Sequence, residues 1–216
     1  MFNITVLSSF HTIHGNCNPV ELHKIIAGIQ PEIIFEELSR DLFDIVYSAG
    51  YQPQTVEAIA IKNYLQSHSI KHFPVDNYPI KDTDLLSDAK IIWNSSSEYR
   101  ELWNKQLLKL GQEGYKFLNS AACTDILKDI RTIEETVLVQ INNTKLLTEF
   151  RSERALHDKR ENEMLRAIYN YSKQCPFVQA LFICGVDHRQ PLLKKIEDYE
   201  TNEPNQLNWT FYNNIE

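Results

Sequence analysis

Several features that would assign the chain to a class at once are missing from its sequence. The four cysteines, Cys17, Cys123, Cys175 and Cys184, form no Cys-x-x-Cys pair and match no zinc-knuckle spacing. No run of about 18 apolar residues occurs, which excludes a helix apolar enough to span a membrane. We therefore expect four free thiols in a cytoplasmic protein that has no membrane partner.

Positive charge is also scarce, since 22 Lys and Arg residues stand against 29 Asp and Glu residues and the formal net charge is −7. The densest basic group, within residues 151–166, is interleaved with acids and forms no basic stripe with aromatic residues. This balance opposes attraction to phosphate backbones, so no nucleic-acid partner is expected. The start of the chain, Met1–Val6, lacks basic residues and predicts a strand rather than a signal peptide.

What the sequence does contain is an alternation of apolar strands and amphipathic helices. Its 216 residues, of which 43% are hydrophobic, suit a single α/β domain over residues 1–216. The predicted strands are continuous apolar runs, typical of a mainly parallel sheet flanked by helices on both faces. They cover residues 3–8, 33–35, 72–75, 178–184 and 207–212.

The helices between these strands are predicted from start signals and periodicity. Asn18 and Pro19 are a typical N-cap and first helical residue, and the helix that they begin ends at Gln30-Pro31. A second helix is predicted for residues 54–67. After the fourth strand, a short helix over residues 191–196 precedes a polar linker over residues 198–205.

Residues 84–172 follow a different pattern. They contain no proline, only Gly111 and Gly114, and segments with helical periodicity such as 107–118 and 126–150. We predict a long helical insertion of at least three helices between the third and fourth strands. Mixed charge along these helices suggests that the insertion caps a pocket or forms a homodimer surface.

Four of the predicted strands run into ionisable residues. These are His11, Glu36 with Glu37, Asp76, and Asp187 with His188. Because the carboxyl ends of parallel strands meet at one edge of a sheet, we expect a single pocket there. Glu36 and Glu37 point to opposite sides of their strand, so at most one of them faces the pocket. Asp76, which precedes Asn77, has an alternative role as a turn former.

Gly185 and Arg160 are two further candidate residues of the predicted pocket. Gly185 follows the strongest strand and permits a sharp turn or the close approach of a ligand. Arg160 shares a helical face with Met164 and Ala167, which should be buried. A buried guanidinium needs an acidic partner, and Glu37 is the candidate; the alternative is an arginine that reaches solvent at the rim.

Taken together, these residues resemble a superfamily that unites erythromycin esterases, TraB-type pheromone-shutdown proteins, Tiki metalloproteases and ChaN-type haem-binding lipoproteins. That group is marked by two Gly-x-x-His motifs on strand ends, a strand-end Glu, and a helical Arg motif between them. Gly185–His188 matches the second motif, Arg160 with Met164 matches the helical one, and Glu37 matches the acid. The resemblance covers roughly residues 4–76 and 154–196.

The first motif departs from the superfamily pattern. It is Ser8-Ser9-Phe10-His11, which lacks the glycine. The esterase branch also carries an acid shortly before this histidine, and Ser8 and Ser9 supply none.

The resemblance implies a hydrolase that acts on a small-molecule or peptide substrate. In this hypothesis His11 or His188 is the general base that activates water, Glu37 orients it, and Arg160 stabilises developing negative charge. In a metal-dependent variant, His11, Glu37 and His188 would be the ligands of a divalent ion such as zinc or manganese.

Two alternatives to catalysis stay open from the sequence. The pocket would bind haem or another ligand, since ten tyrosines and seven histidines offer axial ligands, although no haem-attachment motif is present. In the other alternative the protein is regulatory, and the helical insertion rather than the pocket carries its function.

Overall fold

The computed structural model, which describes residues 2–77, 85–202 and 207–213, confirms the predicted parallel sheet. In that part of the chain all strand pairs are parallel, and the spatial order is β3-β2-β4-β1-β5. The strands are β1 (Phe2–Ser9), β2 (Ile33–Ser39), β3 (Lys71–Asp76), β4 (Gln179–Gly185) and β5 (Leu207–Phe211). Each contains one of the five apolar runs predicted from the sequence, or most of it.

Helices connect these strands and cover the sheet. They are α1 (Pro19–Ile29), α2 (Arg40–Val46), α3 (Val56–Leu65), α4 (Leu85–Ser95), α5 (Ser97–Glu113), α6 (Tyr115–Leu118), α7 (Ala121–Ile141), α8 (Thr144–Gln174) and α9 (Arg189–Asn202), with a 3₁₀ turn at Val186–His188. The side chain of Asn18 accepts hydrogen bonds from the backbone N–H groups of Val20 and Glu21, and Gln30 ends α1 in the left-handed conformation. Both ends of α1 are therefore where the sequence predicts them.

The long insertion between β3 and β4 is present as α4 to α8, and local breaks divide the two periodic segments. Gly114, at φ 58°, separates α5 from α6 within residues 107–118. Asn142 ends α7 at φ 54°, and the side chain of Asn143 caps the first turn of α8 within residues 126–150. Asparagine tolerates the left-handed conformation and caps helices well, so this pair stops one helix and starts the next.

Two local predictions were wrong or incomplete. The region predicted as a short helix followed by a linker is one helix from Arg189 to Asn202. Its polar residues lie on an exposed face, while Leu192 and Ile196 are buried on the other face. The rest of the predicted linker, residues 203–205, lies outside the described part of the chain. Helix α2 was not predicted, because its seven residues are too few to show a period.

Apolar side chains cover both faces of the sheet. Leu7 and Leu181 pack with α1, α3 and the insertion helices on one face. Val6 and Phe182 pack with α8 and α9 on the other face. Adjacent residues of one strand thus enter opposite cores, which explains why the strands are continuous apolar runs. Polar groups of the strands are left to cluster at the edges of the sheet.

Two expectations from the composition are consistent with the structure. All four cysteines are free thiols. Within the described ranges, none of the helices has the length and apolarity that crossing a bilayer requires.

Candidate functional site

The parallel register brings the predicted polar residues to one edge of the sheet. Ser9, at the end of β1, lies beside Gly185 at the end of β4. Ser39, at the end of β2, lies beside Asp76 at the end of β3. The residues that follow or end these strands therefore share the carboxyl edge, as the sequence predicts.

The centre of the cluster is the carboxylate of Glu37, whose side chain is 8% exposed. Its Oε1 accepts a hydrogen bond from Arg160 Nη2 at 2.7 Å and lies 3.1 Å from His188 Nε2. Its Oε2 accepts the backbone N–H of Gly185 at 2.7 Å. Burial alone would raise the pKa of Glu37, but the charges of His188, His11 and Arg160 outweigh it and hold the pKa well below its usual range. Glu37 is thus a buried anion with two cationic partners.

Arg160 joins this carboxylate to Asp76. Its Nε and Nη2 donate to Asp76 Oδ2 at 3.1 and 2.7 Å, and its side chain is 19% exposed. The predicted Arg160–Glu37 ion pair is present, and Asp76 is part of the cluster rather than only a turn former. Among the described residues, Nη1 of Arg160 has no hydrogen-bond acceptor, so two of its N–H donors remain unused.

His188 is held between two carboxylates. Its Nδ1 lies 2.9 Å from Glu161 Oε1 and its Nε2 lies 3.1 Å from Glu37 Oε1. Burial opposes protonation, but the two carboxylates outweigh it and raise the pKa of His188 to about 9. At neutral pH both ring nitrogens of the imidazolium are donors and both are engaged. This arrangement suits a fixed positive charge better than a proton acceptor.

His11 has a different environment. Its Nδ1 lies 3.1 Å from Glu57 Oε1, while its side chain is 56% exposed. The hydrogen bond to Glu57 is the main reason that the pKa of His11 is raised to about 9, against a smaller opposing effect of burial. Nε2 has no hydrogen-bond partner in the described ranges, and a Cβ atom at Gly185 would come within 3.3 Å of it. His11 therefore combines one oriented nitrogen with one free nitrogen.

Glu57 and Glu161 were not predicted from the sequence. Glu57 lies in the first turn of α3 and also contacts the hydroxyl of Ser9. Its own pKa is lowered, because hydrogen bonds from His11 and Ser9 outweigh burial. The position of Glu57 was predictable in principle, since a helix that follows a parallel strand begins near the carboxyl edge of the sheet. Glu57 is therefore the acidic partner of His11.

Glu36 points away from the cluster, as strand geometry predicts for the neighbour of Glu37. It accepts hydrogen bonds from Tyr47 Oη at 2.6 Å and from His72 Nδ1 at 2.8 Å. Burial raises the pKa of Glu36 despite these contacts. Its role is to tie β2 to β3 and α2.

A cavity of about 420 Å³ lies between the insertion helices and the start of α9. His157, Glu161 and Asp187 contribute to its wall, whereas His11 and the other members of the Glu37 cluster do not. The ring of His157 stacks on that of His188 with 5.3 Å between centroids. The insertion thus forms an open cavity beside His188 that is distinct from the predicted strand-end pocket, and both the capping role and a homodimer surface stay predictions.

The residues proposed for a metal-dependent variant do not form a metal site in this arrangement. Within the described ranges, no group of three or more His, Cys, Asp or Glu side chains has the geometry to hold a metal ion. Both oxygens of Glu37 already accept hydrogen bonds from cationic or backbone donors. His11, Glu37 and His188 fit an ion-pair network better than a ligand set.

Comparison of the chain with protein-family models, curated proteins and solved structures finds no match in any of the three. The resemblance to the esterase, TraB, Tiki and ChaN superfamily thus stays a prediction that depends on the motifs themselves.

Proposed function

We propose that the protein is a hydrolase in which His11 activates a water molecule. The observation that supports this proposal is the His11–Glu57 pair: one ring nitrogen is bound to a largely buried carboxylate, and the other is free at the carboxyl edge of the sheet. A histidine that is oriented in this way is a common general base. The sequence alone left both His11 and His188 as candidates, and the geometry favours His11.

The chemistry would proceed by direct attack of water on an ester or amide carbonyl. Neutral His11 donates its Nδ1–H to Glu57 and accepts a water proton at Nε2 while the water oxygen bonds to the carbonyl carbon. The imidazolium then returns that proton to the leaving oxygen or nitrogen as the carbon–heteroatom bond breaks. The carboxylate of Glu57, rather than that of Glu37, holds the ring in the correct tautomer and stabilises its charge.

The Glu37 cluster would supply fixed positive charge beside this base. Arg160 has unused N–H donors on Nη1, which suit a developing oxyanion. His188, fixed by Glu37 and Glu161, would act as a positioning residue that keeps the carboxylate of Glu37 in place.

A second candidate function is ligand binding without catalysis. The observation in its favour is that the cavity beside His188 is not lined by His11. A bound haem or small molecule would then be held by the wall of the insertion helices, with no role for the exposed imidazole.

Turnover of a broad substrate panel separates the two functions. We expect the purified chain to hydrolyse a member of a panel of carboxylic esters, amides and phosphoesters at pH 9, and to retain that activity after treatment with a chelator. Absence of turnover by folded protein across the panel, together with a saturable Soret band on haem titration, would support the binding alternative. Activity that disappears with chelation and returns with one divalent ion would favour the metal-dependent variant.

The pH dependence of this activity follows from the pKa of His11. Its catalytic form is the neutral imidazole, and its pKa is raised to about 9. We therefore expect log kcat/KM to rise by about one unit per pH unit below that value and to level off above it. In Glu57→Gln, which removes the hydrogen bond to the carboxylate, the midpoint should move to lower pH. A profile that falls between pH 7 and pH 9 in the wild type would contradict the assignment.

Gly185→Ala tests the close packing of the edge. The new Cβ would lie 3.3 Å from His11 Nε2 and 3.4 Å from Glu37 Oε2, so one of the two side chains must shift by a few tenths of an ångström. We expect kcat/KM to fall roughly tenfold to a hundredfold, since small displacements of catalytic groups are costly. Gly28→Ala in α1 is the control, because nothing lies within 4 Å of its Cβ position. Equal kcat/KM values for the two variants would show that the close contact of Gly185 with His11 and Glu37 is not needed for activity.

A further inference from the structure

The cavity between the insertion helices has an apolar wall that is rich in aromatic residues. Its volume of about 420 Å³ falls within the usual range for small-molecule sites. The apolar part of the wall consists of Ile92, Tyr99, Trp103, Leu127, Ile130 and Phe150. The side-chain nitrogen of Trp103 is buried beside Tyr99, and the two rings meet edge to face with 6.2 Å between centroids.

Glu134 is the acid that stands among these rings. It lies one helical turn after Ile130 on α7, so the two residues share the face that lines the cavity. Its Oε1 accepts a hydrogen bond from Tyr99 Oη at 3.1 Å. Burial raises the pKa of Glu134, although the hydrogen bond from Tyr99 and the charges of Arg154 and Arg131 oppose this effect. A carboxylate in this position costs free energy to ionise unless a cation compensates for it.

The other acids of the cavity wall already have basic partners. Asp187 pairs with Arg131 at 3.1 Å, and Asp158 pairs with Lys195 at 2.5 Å. Glu161 pairs with His188 at 2.9 Å.

Glu153 lies 4.0 Å from His157, so it too has a basic neighbour. Glu134, by contrast, has no Lys, Arg or His nitrogen within 4.0 Å in the ranges that the structure describes. The guanidinium of Arg154, which faces the same cavity, lies over the ring of Phe150 at 5.1 Å. Among the described residues of the wall, Glu134 is thus a carboxylate without a direct ion pair, with Arg154 and Arg131 only at longer range, and it lies beside the ring of Tyr99.

We propose that this cavity binds a small organic ammonium ligand with an apolar body, and that Glu134 pairs with the ammonium group. Aromatic faces attract cations, and an apolar body would cover the aliphatic part of the wall. The described wall contains more acids than arginines, which disfavours anions such as carboxylates and phosphates: the acids are Glu134, Glu153, Asp158, Glu161 and Asp187, and the arginines are Arg131 and Arg154. This site is separate from the exposed His11, and the proposal does not depend on hydrolysis.

Three probes of equal size and different charge test the proposal by direct binding. Phenylbutylamine, phenylbutanol and phenylbutyrate each carry a phenyl ring on a short alkyl chain and end in a cation, a neutral hydroxyl and an anion. In calorimetric titrations at pH 7.5 we expect the amine to bind at least tenfold more tightly than phenylbutyrate, with phenylbutanol between them. Quenching or enhancement of tryptophan fluorescence that is lost in Trp103→Phe would locate the ligand.

Glu134→Gln provides the matched substitution, because it keeps the size of the side chain and removes its charge. The amine should lose about tenfold in affinity and phenylbutanol less than twofold. Glu135→Gln is the control. Glu135 is next to Glu134 on α7, but it pairs with Arg151 at 3.7 Å and lines a different groove. Circular dichroism of each variant verifies that the fold is retained.

Three results would overturn the proposal. One is equal affinity for the three probes, which would mark an unselective apolar cavity. Another is an equal loss of amine binding in Glu134→Gln and Glu135→Gln, which would indicate a general effect of charge. The last is failure of the amine to saturate at millimolar concentration. Since binding is measured without turnover, none of these results bears on whether His11 is a general base.

Discussion

Replacing His11 with Gln is expected to lower kcat/KM for the hydrolysed substrate by about 10²- to 10⁴-fold. The substitution removes the only group at this edge that has both an oriented nitrogen and a free one, as far as the described residues show. The Gln amide still offers a donor to Glu57. Because the side chain of His11 is half exposed, the free energy of unfolding should change by less than about 1 kcal/mol. Steady-state kinetics and urea denaturation measure the two effects separately.

The control for this prediction is His68→Gln. His68 is exposed at the end of α3 that is remote from Glu57, and its ring stacks on Tyr64. This variant should keep wild-type activity. Glu57→Gln should reduce kcat/KM less than His11→Gln does, because the base remains but its orientation and basicity are weakened. If His11→Gln keeps more than half of the wild-type activity on a confirmed substrate, another residue performs the proton transfer.

The sequence was sufficient to place His11, Glu37, Arg160 and His188 together, and the reason is geometric. Residues that follow parallel strands have to lie at one edge, whatever the strand order. The partner of Arg160 was predictable too, because a guanidinium at the head of an apolar helical stripe needs a nearby carboxylate. These inferences depend on periodicity and sheet topology, which the sequence encodes locally.

The acids that helices contribute were harder to predict. Whether Glu161 or Glu163 faces the cluster depends on the rotation of α8 about its axis, which tertiary packing determines. Only the packed structure shows that Glu161 binds His188 while Glu163 pairs with Arg166. The cavity could not be predicted from the sequence for the same reason. Its wall consists of side chains from several helices, and the relative placement of these helices leaves no periodic signal in the sequence.

The largest effect on stability is expected for Arg160→Met. The substitution leaves Glu37 and Asp76, whose side chains are 8% and 5% exposed, without the guanidinium that binds both. Removal of one partner from a buried ion pair costs about 3–5 kcal/mol, because the remaining carboxylates lose a cation that compensates for their burial. Arg166→Met on the same helix is the matched control. Its side chain is 63% exposed and lies 3.6 Å from Glu163, so a change of less than about 1 kcal/mol is expected.

The pH dependence of the stability lost in Arg160→Met identifies the cause of that loss. In the wild type the pKa of Glu37 is held far below that of the unfolded chain, so its contribution to stability is present above pH 4 to 5 and is lost only as pH falls through the folded pKa. In Arg160→Met one of the cations that lower the pKa of Glu37 is gone, so Glu37 becomes protonated at a higher pH than in the wild type. The difference in the free energy of unfolding between wild type and variant, measured by urea denaturation, should therefore be largest near neutral pH and decrease as the pH approaches 4. A difference in the free energy of unfolding that stays constant over that range would mean that the arginine stabilises the fold through packing of its aliphatic stem, because only lost charge pairing depends on the protonation of Glu37.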